Sequence, residues 1–140
     1  MIVEKSIDDV EIGQSAELSR TVAESDIQSF AAVTGDTNPV HLNADYAAGT
    51  MFKSRIAHGM LSAGYISAVI GTRLPGPGAI YLSQSLKFKA PVRIGDTVVT
   101  TCTITAKDAA RRRITLLTQC RVGETVVVEG EAMIMLPAAP

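Results

Sequence analysis

From residue 80 onward, apolar and polar side chains alternate with a period of two, broken by short polar segments. Four such runs place these residues on one face: Leu82, Gln84, Leu86 and Phe88; Val98, Thr100, Cys102 and Ile104; Ile114, Leu116, Thr118, Cys120 and Val122; Val126, Val128, Gly130, Ala132 and Ile134. Turn signals separate the runs at residues 91–96, 107–113 and 123–124. This pattern predicts an antiparallel meander with one buried face.

Residues 57–72 form the most apolar segment, with no Asp, Glu, Lys or Arg before Arg73. A helix that is apolar on nearly every side is a buried one, and this segment is too short to span a membrane. The following Pro75-Gly76-Pro77-Gly78 predicts its end. A central helix followed by a meander predicts an α+β domain, in which a curved antiparallel sheet wraps around the helix.

In the first 56 residues, the patterns that predict secondary structure are shorter. Alternation on both sides of a glycine predicts a leading strand within residues 1–23. Ser25 and Gln28 have the spacing of a capping box, which predicts a helix over residues 26–34 that ends at Gly35. Asn43 predicts the start of a second short helix at residues 44–48. Residues 50–56 are predicted to be an exposed connector, a solvated loop in preference to a phosphate site.

Composition narrows the class of protein. A chain of 140 residues suits one domain, residues 1–140, and a formal net charge of −1 gives no case for nucleic acid or an acidic membrane surface. Acidic residues stand where a signal peptide would be apolar, so a cytoplasmic location is expected. Cys102 and Cys120 are far apart and are expected to be reduced and buried. With two histidines and no His/Cys cluster, no metal site is expected.

Candidate chemistry concentrates in residues 30–41, FAAVTGDTNPVH. Pro39 disfavours a helical Asn38 and fixes the exit of the chain from the turn. Asp36 and His41 therefore lie on either side of a stiff turn, where they could face one space and share one water molecule. Taken singly, each residue is more often structural, since aspartate after glycine is common in turns. The combination favours an acid/base pair.

The segment GDTNPVH at residues 35–41 resembles the signature of the (R)-specific enoyl-CoA hydratases, the MaoC-like branch of the hot-dog superfamily. The resemblance covers nearly the whole chain, including AHGML at residues 57–61 and the strand-like residues 80–92. It implies a hot-dog fold: the central helix is enclosed by the sheet, and an overhanging helical insert carries Asp36 and His41. Asn43, where an aspartate is frequent, and Pro77 are mild departures.

The resemblance implies reversible syn hydration of trans-2-enoyl-CoA to (R)-3-hydroxyacyl-CoA, in fatty-acid oxidation or in the supply of polyhydroxyalkanoate precursors. No cofactor is implied, because coenzyme A is part of the substrate. Asp36 and His41 would hold the water and exchange protons with it, while Asn38 orients the turn or the water. The Gly59 N–H, in the first turn of the central helix, could stabilise an enolate oxygen. Ser67 would lie near the catalytic water, with close packing as an equal alternative.

Other residues are weaker candidates for a functional role. Tyr65, Val69 and Ile70 could line an acyl slot along the central helix, which would favour chains of about four to six carbons, or they could simply be core. His58 could bind substrate or transfer a proton, although capping or packing is the favoured interpretation. The run Arg111–Arg113 favours a solvated hairpin tip over a site for the CoA phosphates.

Several alternatives share this fold or substrate. The nearest is a (3R)-hydroxyacyl-ACP dehydratase, and less favoured ones are a hot-dog acyl-CoA thioesterase and a non-enzymatic acyl-CoA-binding regulator. A homodimer or a dimer of dimers is expected, because an open antiparallel sheet leaves edges that must be covered or paired.

Overall fold

The computed structural model describes residues 1–140. Six strands and four helices follow a short 3-10 helix at Ile7–Asp9. The strands are β1 (Ser15–Thr21), β2 (Ile80–Gln84), β3 (Lys87–Phe88), β4 (Thr97–Asp108), β5 (Arg113–Val122) and β6 (Thr125–Met135). The helices are α1 (Glu24–Thr34), α2 (Pro39–Leu42), α3 (Ala44–Ala48) and α4 (Gly59–Thr72).

One antiparallel sheet has the strand order β1-β4-β5-β6-β2, and β3 also pairs with β6. The predicted meander is therefore confirmed in β4, β5 and β6. Its predicted inner face is also confirmed over most of β4 and β5, where these residues are buried: Val98, Thr100, Cys102, Ile104, Ile114, Leu116, Thr118 and Cys120. Both cysteines are unpaired, as expected, and burial raises the pKa of the Cys102 thiol to about 12.

The predicted inner face of β6 is confirmed at Val128, Ala132 and Ile134, and it fails at Val126, before a bulge. The register with β5 shifts between Cys120 and Arg121, so that Val127 and Val128 are both buried while Val126 is only half-buried. A bulge adds one residue to one strand, so the alternation that holds from Val128 onward does not extend back to Val126.

The predicted strand over residues 80–92 is interrupted between β2 and β3. The backbone of Ser85 crosses Gly130 of β6 there, and the Ser85 N–H donates to the Glu131 carbonyl at 2.9 Å. A Cβ on Gly130 would lie 1.8 Å from the Ser85 carbonyl oxygen, so only glycine fits. Leu82 and Phe88 are exposed in the chain, and their predicted burial is wrong.

Helix α4 packs against the buried face of the sheet through Ser62, Tyr65, Ile66, Val69 and Ile70. The predicted central helix is confirmed, but burial on every side is wrong: Met60, Gly64, Ser67 and Gly71 are exposed. The apolar composition of α4 concealed this exposed face, because small residues gave no polar stripe. No helix of the protein is both long enough and apolar enough to cross a bilayer.

The leading strand is confirmed only at β1, and the predicted start of α1 is wrong. Ala23 occupies the N-cap position, and the Asp26 carboxylate accepts from the Ala23 N–H at 2.8 Å. An acidic side chain three residues into the helix thus replaces the predicted Ser25–Gln28 box. Gly35 ends α1 in the left-handed conformation, φ 80°, as predicted.

The predicted Asn43 cap is confirmed, since its side chain accepts from the Tyr46 N–H at 3.0 Å. The connector that follows is not wholly solvated. Arg55 donates from Nε to the His41 carbonyl at 2.6 Å and forms a two-pronged ion pair with Glu24 at 2.8 and 2.9 Å. This side chain ties the connector to α1 and α2 beside the predicted catalytic turn.

Candidate active site

The turn between α1 and α2 places Asp36 and His41. The Asn38 side chain accepts from the Val40 N–H at 3.2 Å, which caps α2, and the backbone N–H of Asn38 donates to the Asp36 carboxylate at 3.3 Å. Asn38 therefore orients both the turn and the carboxylate. With Pro39 at the first helical position, the single turn of α2 carries His41 inward.

The geometry of His41 defines its tautomer. Its Nδ1 lies 2.7 Å from the Ile56 carbonyl oxygen. Since a carbonyl only accepts, Nδ1 must carry a hydrogen, and the Nε2 of the neutral ring is then a free proton acceptor. Burial lowers the pKa of His41; the bond to Ile56 and the charge of Asp36 oppose this shift, while His58 adds to it. A neutral ring with an open Nε2 is suited to act as a general base.

Asp36, His41 and His58 form one cluster. One carboxylate oxygen and one nitrogen of each ring lie within 4.8 Å of one another, with Asp36 exposed and both histidines buried. The His41 and His58 rings stack with centroids 3.9 Å apart and planes at 28°. The structure thus brings Asp36 and His41 to one space at the border between solvent and interior, and one water molecule could bridge them.

Two histidines and a carboxylate could in principle hold a metal ion. The stacking argues against it here, because the lone pairs of ring nitrogens lie in the ring planes, and stacked rings point them side by side instead of toward one centre. His41 Nδ1 and His58 Nε2 are also engaged with backbone carbonyls. The arrangement favours proton transfer, and the absence of a metal stays a prediction.

A cavity of about 320 Å³ adjoins this cluster. Both histidines, Gly59 and Ser62 line it. The other lining residues are Met51, Phe52, Ile56, Ala57, Phe88, Lys89, Ala90, Pro91, Val92 and Val128. A mostly apolar recess that ends in a few convergent polar groups is the usual form of a small-molecule site.

Gly59 is the first residue of α4 and lines the cavity. The ring of Phe88 lies over it so closely that a Cβ at this position would be 2.6 Å from two ring carbons. N–H groups in the first turn of a helix have no partner within the helix, and the helix dipole makes this end positive. An N–H of this kind can stabilise negative charge on a bound oxygen, and this role of Gly59 stays a prediction.

Six predicted site residues do not line this cavity, and two of them, Asp36 and Asn38, lie in the turn beside it. Ser67 is exposed on the outer side of α4. Tyr65 borders a separate recess with Phe30 and Leu61. Val69 and Ile70 are 0% and 1% exposed and belong to the core cluster, so the predicted acyl slot along the far part of α4 is absent from the chain.

The serine that does reach the cavity is Ser62, which is 2% exposed. It follows Gly59 by three residues and therefore shares its helix face. That spacing could have identified it from the sequence. Phe52 and Phe88 could not have been identified in this way, because a loop and a distant strand bring them to the cavity.

The His41 ring is expected to titrate below the ordinary histidine value of about 6.5, because burial penalises its cation. At a pH between the His41 pKa of the folded chain and that of the unfolded chain, the unfolded chain binds more protons than the folded one. The free energy of unfolding should therefore fall as the pH drops below about 6.5. An NMR titration can follow the ring signals, since the chain has only 2 histidines. A His41 midpoint at or above the ordinary value would contradict this expectation.

Comparisons with known proteins agree with this geometry. The model of the MaoC like domain family matches residues 8–127. The chain is 62% identical over 131 residues to an (R)-specific enoyl-CoA hydratase of Rhodospirillum rubrum, covering 94% of this chain and 91% of that protein. It is 50% identical over 130 residues to a 3-hydroxybutyryl-CoA dehydratase of Methylorubrum extorquens, covering 93% and 83%.

Solved structures give the same result. An unliganded R-hydratase from Pseudomonas aeruginosa superimposes with a TM-score of 0.91 at 48% identity, covering 97% of this chain and 88% of that one. The curved antiparallel sheet around α4 is the hot-dog fold of these hydratases. Fold, family model and close relatives therefore agree that this chain belongs to the MaoC-like domain family.

Proposed function

We propose that this protein is an (R)-specific enoyl-CoA hydratase, which adds water reversibly to trans-2-enoyl-CoA and forms (R)-3-hydroxyacyl-CoA. The observation that carries the proposal is the Asp36–His41 pair, with the free His41 Nε2 beside a cavity of about 320 Å³. The similarity to the Rhodospirillum rubrum hydratase supports the same reaction, with hydro-lyase chemistry.

In the hydration direction, water is held between the Asp36 carboxylate and His41 Nε2. As the water oxygen bonds to C3 of the substrate, His41 Nε2 takes one water proton, and the C2–C3 π electrons shift onto the thioester carbonyl. The same Asp36–His41 pair returns one proton to C2. Because both additions come from one side of the bound substrate, the water adds syn.

The enolate oxygen formed in this step needs a donor that is already in place. The Gly59 N–H at the start of α4 is such a donor, and it costs no reorganisation at the moment of reaction. The neighbouring apolar walls, Ile56, Val92 and Val128 among them, exclude water from the acyl group. The cavity therefore combines a polar reaction end with an apolar acyl end.

A thioesterase is the enzyme of a different class that the cavity could serve, since it also activates water beside a thioester. It would deliver that water to C1 and release free CoA. An acyl-carrier-protein thioester remains an alternative substrate for the proposed reaction.

The test follows two signals from one crotonyl-CoA reaction: the loss of enoyl absorbance and the appearance of free thiol. We expect the absorbance to fall to an equilibrium value with no release of thiol. Thiol release in proportion to the substrate consumed would contradict the proposal and favour the thioesterase. Asp45→Asn changes an exposed acid on α3 outside the cavity, and this control variant should give the same two signals as the wild-type protein.

We also propose that the protein is a homodimer whose sheets join at the β2 edge. That edge exposes three large apolar side chains, Ile80, Tyr81 and Leu82, at 49%, 38% and 41% of their area. The opposite edge, β1, is formed mainly by polar side chains. An apolar edge strand is a surface that proteins normally cover.

Leu82→Glu is expected to shift the protein from dimer to monomer, because it places a charge on the apolar edge. Light scattering coupled to size exclusion measures the mass directly, and Ser19→Glu on the β1 edge is the control. A wild-type protein that is monomeric and fully active would rule out this assembly.

A further inference from the structure

We propose that His58 is a positioning residue, which holds Asp36 and His41 in the relative placement that hydration requires. This inference rests on the proposed function and deepens it by assigning a role to the third member of the cluster. It assigns His58 no proton transfer to substrate.

The first observation is a hydrogen bond to the catalytic turn. His58 Nε2 lies 2.9 Å from the backbone carbonyl oxygen of Asp36. A carbonyl only accepts, so Nε2 carries the hydrogen and donates it. The bond connects the N-terminal end of α4 to Asp36, whose carboxylate would hold the water in the proposed reaction, across 22 positions of sequence. It fixes the distance between Asp36 and the Gly59 donor that follows His58.

The second observation is the packing of the His58 ring, which is 2% exposed. His41 stacks against it with centroids 3.9 Å apart, and Phe30 packs at 4.7 Å with planes at 48°. Stacking on His58 thus fixes the plane of the His41 ring, and the bond from Nδ1 to the Ile56 carbonyl fixes how the ring is turned within that plane. Together these contacts fix the direction of the free Nε2.

The third observation separates positioning from simple packing. His58 Nδ1 is buried and has no hydrogen-bond partner. A buried unpaired acceptor destabilises a fold, so an apolar ring of similar size would serve packing better. A histidine at this position is explained if its Nε2 N–H is needed as the donor to the Asp36 carbonyl. The structure therefore predicts that His58→Phe keeps the stability of the fold and loses activity.

The test compares His58→Phe, which keeps a ring without a donor, with His58→Gln, which keeps an amide donor without a ring. We expect His58→Phe to lower kcat by about 10-fold to 100-fold on crotonyl-CoA, as a misplaced reacting group does, with KM changed less than about 3-fold. Its melting temperature should equal or exceed that of wild type. His58→Gln should recover at least about half of the lost activity on a logarithmic scale.

Lys107→Met is the matched control, since it removes another side-chain bond to a backbone carbonyl, from Nζ to Val10 at 2.8 Å, away from the site. It should leave kcat unchanged. Three results would each overturn the inference: kcat within about 3-fold of wild type in His58→Phe, equal losses in the Phe and Gln variants, or a kcat loss matched by a lower melting temperature.

A readout independent of turnover keeps this test separate from the proposed reaction. Amide hydrogen exchange at Val40, whose N–H is bonded to Asn38, should be about 10-fold faster in His58→Phe if His58 anchors the turn. Unchanged exchange refutes the anchoring. Failure of wild type to hydrate crotonyl-CoA would instead refute the proposed function, and the exchange result would still decide the role of His58.

Discussion

Asp36→Asn and His41→Asn are each expected to lower kcat for hydration by about 10²-fold to 10⁴-fold, the usual loss for a positioned acid/base group. The Asp36 change removes the carboxylate charge at an exposed position, so stability should hardly change. Asparagine at position 41 can still donate to the Ile56 carbonyl, as Nδ1 does now, but it has no counterpart of the free Nε2.

The double variant should be little slower than either single variant, because residues that act as a unit have non-additive effects. Initial rates of crotonyl-CoA hydration measure this, with Asp45→Asn as the control. Hydration close to the wild-type rate in either single variant would show that the pair is not the catalytic centre.

Gly130→Ala is expected to give the largest loss of stability, about 3 kcal/mol or more. The added Cβ would lie 1.8 Å from the Ser85 carbonyl oxygen and 2.6 Å from its carbon, and backbone atoms cannot move aside as a side-chain end can. The crossing of Ser85 over β6 would have to open. Phe88, two residues into the following strand, would move with it and disturb the cavity wall.

Thermal unfolding measures this loss, expected as a decrease of roughly 10 °C in melting temperature. Gly71→Ala is the matched control, because a Cβ there meets no atom within 4 Å and its position on α4 favours alanine. Equal melting temperatures for Gly130→Ala and Gly71→Ala would contradict this prediction, because the backbone at Ser85 would then move aside at little cost in free energy.

The sequence predicted best those features that depend on neighbours in the chain. Alternation in β4 and β5 identified their buried face, because a strand places every second side chain on one side. The turn that joins Asp36 to His41 could be predicted for the same reason, since Gly35, Asn38 and Pro39 act on the backbone next to them. The Asn43 cap is a further local case.

Features that depend on distant contacts could not be predicted in this way. Nothing near Gly130 indicates that Ser85 crosses it, and the break between β2 and β3 follows from that crossing. Arg55 resembled a solvated loop residue because Glu24, its partner, lies 31 positions away.

The interior side of α4 was the least predictable part of the site. Its residues are small or apolar all round, so the hydrophobic pattern did not distinguish Ser62 in the cavity from Ser67 on the surface, and only the spacing from Gly59 could have done so. Ile70 was assigned to an acyl slot on its distance along the helix, and the structure places it in the core instead. Distance along a helix says nothing about direction around it.

The central claim is that one Asp36–His41 pair, on one side of the substrate, supplies both parts of the added water. Hydration of crotonyl-CoA in D₂O tests it, with the configuration of both new centres determined by NMR and chiral analysis. We predict a single product, (R) at C3, with deuterium and hydroxyl added to the same face. An (S) product, an anti product or a mixture would contradict the account.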